Sequence, residues 1–154
     1  MRLFESTLAA YPKAAEIRYT YGSLLLNSDA AKGLEVLKSE LAISPEHVPA
    51  LAAIAYEYLK EDNGAAALPF AQKASALAPA DFAARIAYGR ALVEVGRIPE
   101  GTEQLETAVK LAPDSPHARY ALANAYARAG RNEDAERERK EFARLRKLLD
   151  SGRN

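Results

Sequence analysis

No cysteine occurs in this chain, which removes disulfides, thiol nucleophiles and cysteine-based zinc sites together. Histidine is scarce as well: His47 and His117 are the only two, and neither has a second histidine or a carboxylate at metal-ligand spacing. Both read as solvated residues near the start of a helix. No cofactor or metal is expected. Charge of one sign is missing, because 21 Lys and Arg balance 21 Asp and Glu. A chain that grips a phosphate backbone carries a basic excess, so nucleic acid is not an expected partner. No long uncharged apolar run is present, so no membrane span is expected, and the compartment is left open. There is no Gly-x-Ser-x-Gly, phosphate loop or dinucleotide fingerprint, and no carboxylate pair is placed for acid–base work. The chain therefore reads as non-enzymatic.

What is present is a period of about 34 residues. Pro12, Pro45, Pro79 and Pro113 recur, each closing an apolar stretch such as Leu41-Ala42-Ile43-Ser44-Pro45 or Leu111-Ala112-Pro113. Within each period two helical patterns flank a turn. In one unit Leu51, Ile54, Ala55 and Tyr58 fall on one side of a helix, Glu61-Asp62-Asn63-Gly64 breaks it with an Asn-Gly turn signal, and an alanine-rich helix follows. The same places hold Arg85, Tyr88, Gly89 and Leu92 in the next unit, then Arg119, Leu122, Ala123 and Tyr126, and Arg18, Tyr21, Gly22 and Leu25 in the first. Small residues recur at two equivalent places, Gly22/Ala55/Gly89/Ala123 and Gly33/Ala67/Gly101/Ala135. Close helix crossings need such residues. Pro69 falls about one turn inside its helix and predicts a slight kink or a delayed start.

These residues resemble the tetratricopeptide repeat family, whose pattern is aromatic-x2-Leu-Gly-x2-Tyr, then Ala-x3-Phe, then Pro. Tyr88-Gly89-x2-Leu92 and Leu122-Ala123-x2-Tyr126 carry the likeness, with the three later prolines. The sequence departs from the pattern where Arg18, Leu51, Arg85 and Arg119 replace the opening aromatic, and where Glu40 and Phe142 replace a small residue late in the second helix. The resemblance implies an all-α, right-handed superhelix, a solenoid of stacked antiparallel helix pairs. The expected organisation is one domain over 1–154: a lone leading helix at 1–12, helix-pair units at 13–46, 47–80, 81–114 and 115–150, and an extended capping helix in the last.

The leading helix lacks a first-helix partner, which suggests an excised piece of a longer array, with a native cap as the alternative. At the other end Ala135, Phe142, Leu145 and Leu149 form a narrow apolar stripe, and Glu133/Arg137 and Glu136/Lys140 stand at i,i+4. This stretch reads as a solubilising cap.

In the resembled architecture the first helix of each unit lines the concave side. The face at i, i+3, i+7 and i+10 is then open, and it supplies the candidate groove: Tyr19, Ser23 and Leu26; Ala52, Tyr56 and Leu59; Ile86, Arg90 and Val93; His117, Tyr120, Asn124 and Arg128. The tyrosines suit a partner-binding surface or fill space between helices. Arg90, Asn124 and Arg128 suit a peptide carboxylate or backbone. The lysine–asparagine–arginine clamp of one family subclass has no counterpart at the equivalent places. The expected function is a non-catalytic adaptor or scaffold that binds a protein or peptide in the groove, as part of a larger protein. Alternatives are a structural or self-association module, with a weak homodimer through Leu3, Phe4 and Leu8 of the leading helix, or a regulatory domain attached to an enzyme or a secretion or assembly complex.

Overall fold

The computed structural model describes residues 6–7, 10–11 and 15–152. The expected leading helix at 1–12, with Leu3, Phe4 and Leu8, falls largely outside them. The described residues form eight helices and no strand: α1 Ala15–Leu25, α2 Ala30–Ile43, α3 Val48–Lys60, α4 Gly64–Leu77, α5 Phe82–Glu94, α6 Ile98–Leu111, α7 Pro116–Arg128 and α8 Asn132–Ser151.

Two loop designs alternate, and each has a local cause. Within a pair, the loop reverses on a left-handed residue: Asp62 at φ 52°, Gly96 at 86° and Gly130 at 74°. The amide after each turns back to the helix it leaves, from Asn63 to the Tyr58 carbonyl at 3.0 Å, Arg97 to Leu92 at 2.9 Å and Arg131 to Tyr126 at 2.9 Å. This satisfies carbonyls that a helix end would otherwise leave bare. The Asn63-Gly64 pair therefore does not make the turn itself. Asn63 is the N-cap of α4, accepting from the Ala66 amide at 3.1 Å, and Asp62 takes the left-handed conformation. The first loop, residues 26–29, is one residue longer because α1 ends early, and it contains no positive-φ residue; Asp29 caps α2 from the Lys32 amide at 3.1 Å.

Between pairs, Ser44, Ala78 and Ala112 end the second helices, and a proline follows each. Two residues after the proline, His47, Asp81 and Ser115 cap the next first helix through side-chain acceptors. Pro49, Pro99 and Pro116 occupy first or second helical positions, where a missing N–H costs little. Pro69 does not delay its helix: α4 starts at Gly64 and continues through the proline.

The small-residue places are the crossings. A Cβ on Gly89 would lie 2.6 Å from Leu105 Cγ and 2.9 Å from the Gly101 carbonyl oxygen; one on Gly101 would lie 2.6 Å from that of Gly89. Ala55, Ala67, Ala123 and Ala135, at the equivalent places, are fully buried. Around these crossings Leu37, Ile54, Leu59, Ile86 and Leu105 lose essentially all solvent exposure, each stabilising by about 1.5–3 kcal/mol.

Successive first helices touch, α1 to α3, α3 to α5 and α5 to α7, whereas successive second helices do not. Elements on the inside of a curve lie closer than those outside. The stack therefore bends with α1, α3, α5 and α7 on the inner wall.

Candidate functional site

The inner wall reads differently along its length, because the sequence spends its open positions in two ways. In the middle, they tie neighbouring pairs together. The Tyr56 hydroxyl donates to the Ala83 carbonyl at 2.8 Å, joining α3 to the start of α5. Burial pushes this phenol up to about 12, against the pull of the nearby Arg90 charge. Arg90 Nη2 donates to the Leu59 carbonyl at 3.2 Å, at the negative end of α3, and stands 3.9 Å from Glu94 Oε1. Burial raises the Glu94 carboxyl, while Arg90 opposes that rise. Leu59 and Ile86 are core residues, not wall: they are 1% and 0% exposed. The i, i+3, i+7 pattern turns these two positions under the next first helix, where apolar atoms gain more than on a surface. Val93 is also buried but forms part of a cavity floor.

Towards the N-terminal end, Tyr19, Ser23, Leu26 and Ala52 are half-buried. Tyr19 packs on the ring of His47, with centroids 5.3 Å apart. His47 is not solvated, contrary to the expectation. Its side chain is 12% exposed, its Nδ1 accepts from the Ala50 amide at 3.2 Å, and its Nε2 is 3.6 Å from Glu16.

Towards the C-terminal end, the wall opens. Arg90, Val93 and Glu94 of α5 and His117, Tyr120, Asn124 and Arg128 of α7 surround a cavity of about 530 Å³, with Asp62 at its edge. Tyr120 is half exposed, and Asn124 and Arg128 are exposed. His117 lies 5.8 Å from the Tyr56 ring; partial burial, aided by the Arg90 charge, holds its pKa below the ordinary value. It is neutral near pH 7 and offers one donor and one acceptor. A second cavity, of about 920 Å³, adjoins the first through His117 and Tyr120 and runs to Phe142, Arg146, Leu148 and Leu149 of α8. Thus, of the thirteen groove residues read from sequence, the structure gathers Arg90, Val93, His117, Tyr120, Asn124 and Arg128 at one cavity. It places Tyr56 in an interhelical tie and Leu59 and Ile86 in the core.

Sequence reading missed the role of the arginines that replace the opening aromatic. Arg85 Nε donates to the Pro79 carbonyl at 2.8 Å and its Nη1 to Gln104 at 2.6 Å; Arg119 repeats this with Pro113 at 3.1 Å and Glu138 at 2.9 Å. One guanidinium fastens a loop to a helix pair. The recurrence of arginine at that place was the available signal. Arg18 instead faces the fully buried Glu40 at 3.6 Å. The capping helix also differs in detail. Leu145 is buried, but Leu149 is 57% exposed, so the apolar stripe outruns its partner helix. Its ion pairs run at i,i+3, Arg137 to Asp134, Arg139 to Glu136 and Arg144 to Glu141, in place of the expected i,i+4 pairs.

Residues 87–138 match the tetratricopeptide repeat family. That stretch carries a tetratricopeptide repeat. No curated protein matches it by sequence. Among solved structures it is similar to "MamA RS-1 ArsTM double mutant", at a TM-score of 0.84 and 24% identity over 97% of this chain and 85% of that one. It is similar also to MamA AMB-1, at 0.79 and 25% over 95% and 87%, and to a further "Crystal structure of MamA", at 0.80 and 19% over 97% and 88%. These likenesses establish the tetratricopeptide-type solenoid. Among the described residues no helix is long and apolar enough to cross a membrane, and no three His, Asp or Glu side chains are grouped to hold a metal ion.

Proposed function

We propose that the chain acts as a single repeat domain that binds a protein or peptide along its inner wall, as a non-catalytic scaffold within a larger assembly. The observation that carries this reading is the division of the wall. Tyr56 and Arg90 spend their polar groups on neighbouring helices, whereas Tyr120, Asn124 and Arg128 make no such bond and stand exposed at a cavity. A scaffold helix has no folding reason to keep an aromatic ring, an amide and a guanidinium exposed together. The repeat family and the curved stack support the same use, because a solenoid offers an extended concave surface. Tyrosine brings ring area at low entropic cost, asparagine pairs with a peptide backbone, and arginine with a carboxylate.

The experiment is quantitative capture from the host lysate with the wild type and with Tyr120→Ala/Asn124→Ala. Asn124 faces solvent and Tyr120 is half exposed beside Phe142, so helicity should stay unchanged while specific partners fall by about tenfold, as for removal of interface anchors. Equal recovery of every partner by the two proteins would remove the inner wall as the binding surface.

A further inference from the structure

Among the described residues, two arginines make neither a hydrogen bond nor an ion pair: Arg128 and Arg146. Every other described arginine is engaged, with a carboxylate, an amide or a backbone carbonyl. The two exceptions are not scattered. Arg128 lines the cavity on the inner wall, and Arg146 lines the cavity under the end of α8, its guanidinium 6.0 Å from the Phe142 ring. The two cavities share His117 and Tyr120 as a common wall. Tyr120 in turn packs against Phe142, centroids 5.5 Å apart, and Leu148 and Leu149 lie exposed beyond. The continuous path is therefore a free guanidinium, an aromatic ridge, a second free guanidinium and an apolar end.

We infer that this path extends the inner-wall site around α7 onto α8, and that it takes a peptide segment in which two carboxylate side chains bracket an apolar or aromatic residue. The inference rests on the inner-wall reading and deepens it. Arg128 and Arg146 would each meet one carboxylate, and the residue between would lie on Tyr120 and Phe142. Asp62 and Glu94 line the first cavity together with Arg128, whose charge pulls the Glu94 carboxyl back down against burial, so a peptide carboxylate there competes with Glu94 for the guanidinium. Asp150 lines the second cavity with Arg146 and competes in the same way. The extra length of α8, 20 residues against 14 in α2, α4 and α6, then has a use: it carries the second guanidinium and the apolar end.

The probe is a set of fluorescein-labelled Gly/Ser peptides with a central Phe-Leu and two Glu, separated by about four to eight residues to sample a span set by about 3.3–3.6 Å per residue. Each is paired with its Gln counterpart, and binding is read by anisotropy. At one separation at least, the Glu peptide should bind about tenfold tighter than the Gln peptide, and Arg128→Ala and Arg146→Ala should each cost it about fivefold, as expected for an arginine–carboxylate contact. The Gln peptide should bind the two variants and the wild type alike, which a merely structural role would not give. Unchanged helicity shows that both variants fold. Glu peptides no tighter than Gln peptides at every separation, or variants that bind them as the wild type does, overturn the inference. If that happens while capture still depends on Tyr120 and Asn124, the inner-wall reading stands alone; loss of that dependence removes both.

Discussion

At the scale of single residues, neighbours decide what an identical chemistry does. Arg85 and Arg119 tie loops to helices, Arg90 seals the end of α3, and Arg128 stands open to solvent. Spacing alone could assign all of these to helix faces. It could not say which guanidinium finds a carbonyl: Pro79 and Pro113 lie six positions before Arg85 and Arg119, whereas Leu59 lies 31 before Arg90, in the preceding pair. Leu59 and Ile86 illustrate the same limit. Their register points towards the wall, but the next first helix covers them. The crossing glycines Gly22, Gly33, Gly89 and Gly101 were legible, because a missing Cβ has one use where helices cross. Gly89→Leu should therefore destabilise the protein by about 1–3 kcal/mol through overpacking. A Cβ there already meets Leu105 and the Gly101 backbone, and the backbone cannot move aside as a flexible side chain would. Thermal unfolding checks this, and an unchanged melting temperature would mean that the crossing is elsewhere.

At the scale of elements, the sequence shows helix boundaries most clearly where loops repeat. The proline loops place the cap two residues beyond the proline each time, at His47, Asp81 and Ser115. The reversing loops are less legible, since Asn-Gly at 63–64 imitates a turn while the left-handed residue is Asp62. Gly64 is needed for another reason: a Cβ there would sit 2.5 Å from that of Glu94. At the two equivalent loop positions the chain has Gly96 and Gly130. Asp62→Gly should then stabilise α3–α4 by up to about 1 kcal/mol, the penalty that a side chain pays in this conformation. The expected result is a rise of a few degrees in melting temperature. A fall would show that the Asp62 side chain holds the loop by a bond worth more than the strain.

At the scale of the whole molecule, curvature follows from which helices touch. First helices meet their successors and second helices do not, so a trough forms along α1, α3, α5 and α7 without any residue being dedicated to it. The stacking of pairs was readable from the period and the small-residue places, and which helices line the trough was what the family resemblance implied. The uneven use of the trough was not readable. The tie through Tyr56 and Arg90 closes its middle, and the open cavity lies between α5 and α7. Phe142 stands where the preceding units have Ala74 and Ala108, and it packs on Tyr120, so α7 and α8 pack differently from the pairs before them.

The most direct measurement is a photo-cross-linking scan in the host cell. A photoreactive residue is placed at Tyr120 or Asn124 on the inner wall, or at Lys73 or Glu103, which are exposed on the second helices α4 and α6. Discrete partner adducts should form from positions 120 and 124 and be absent from 73 and 103. Adducts of the same partner from the outer helices, with none from the inner wall, would contradict the account.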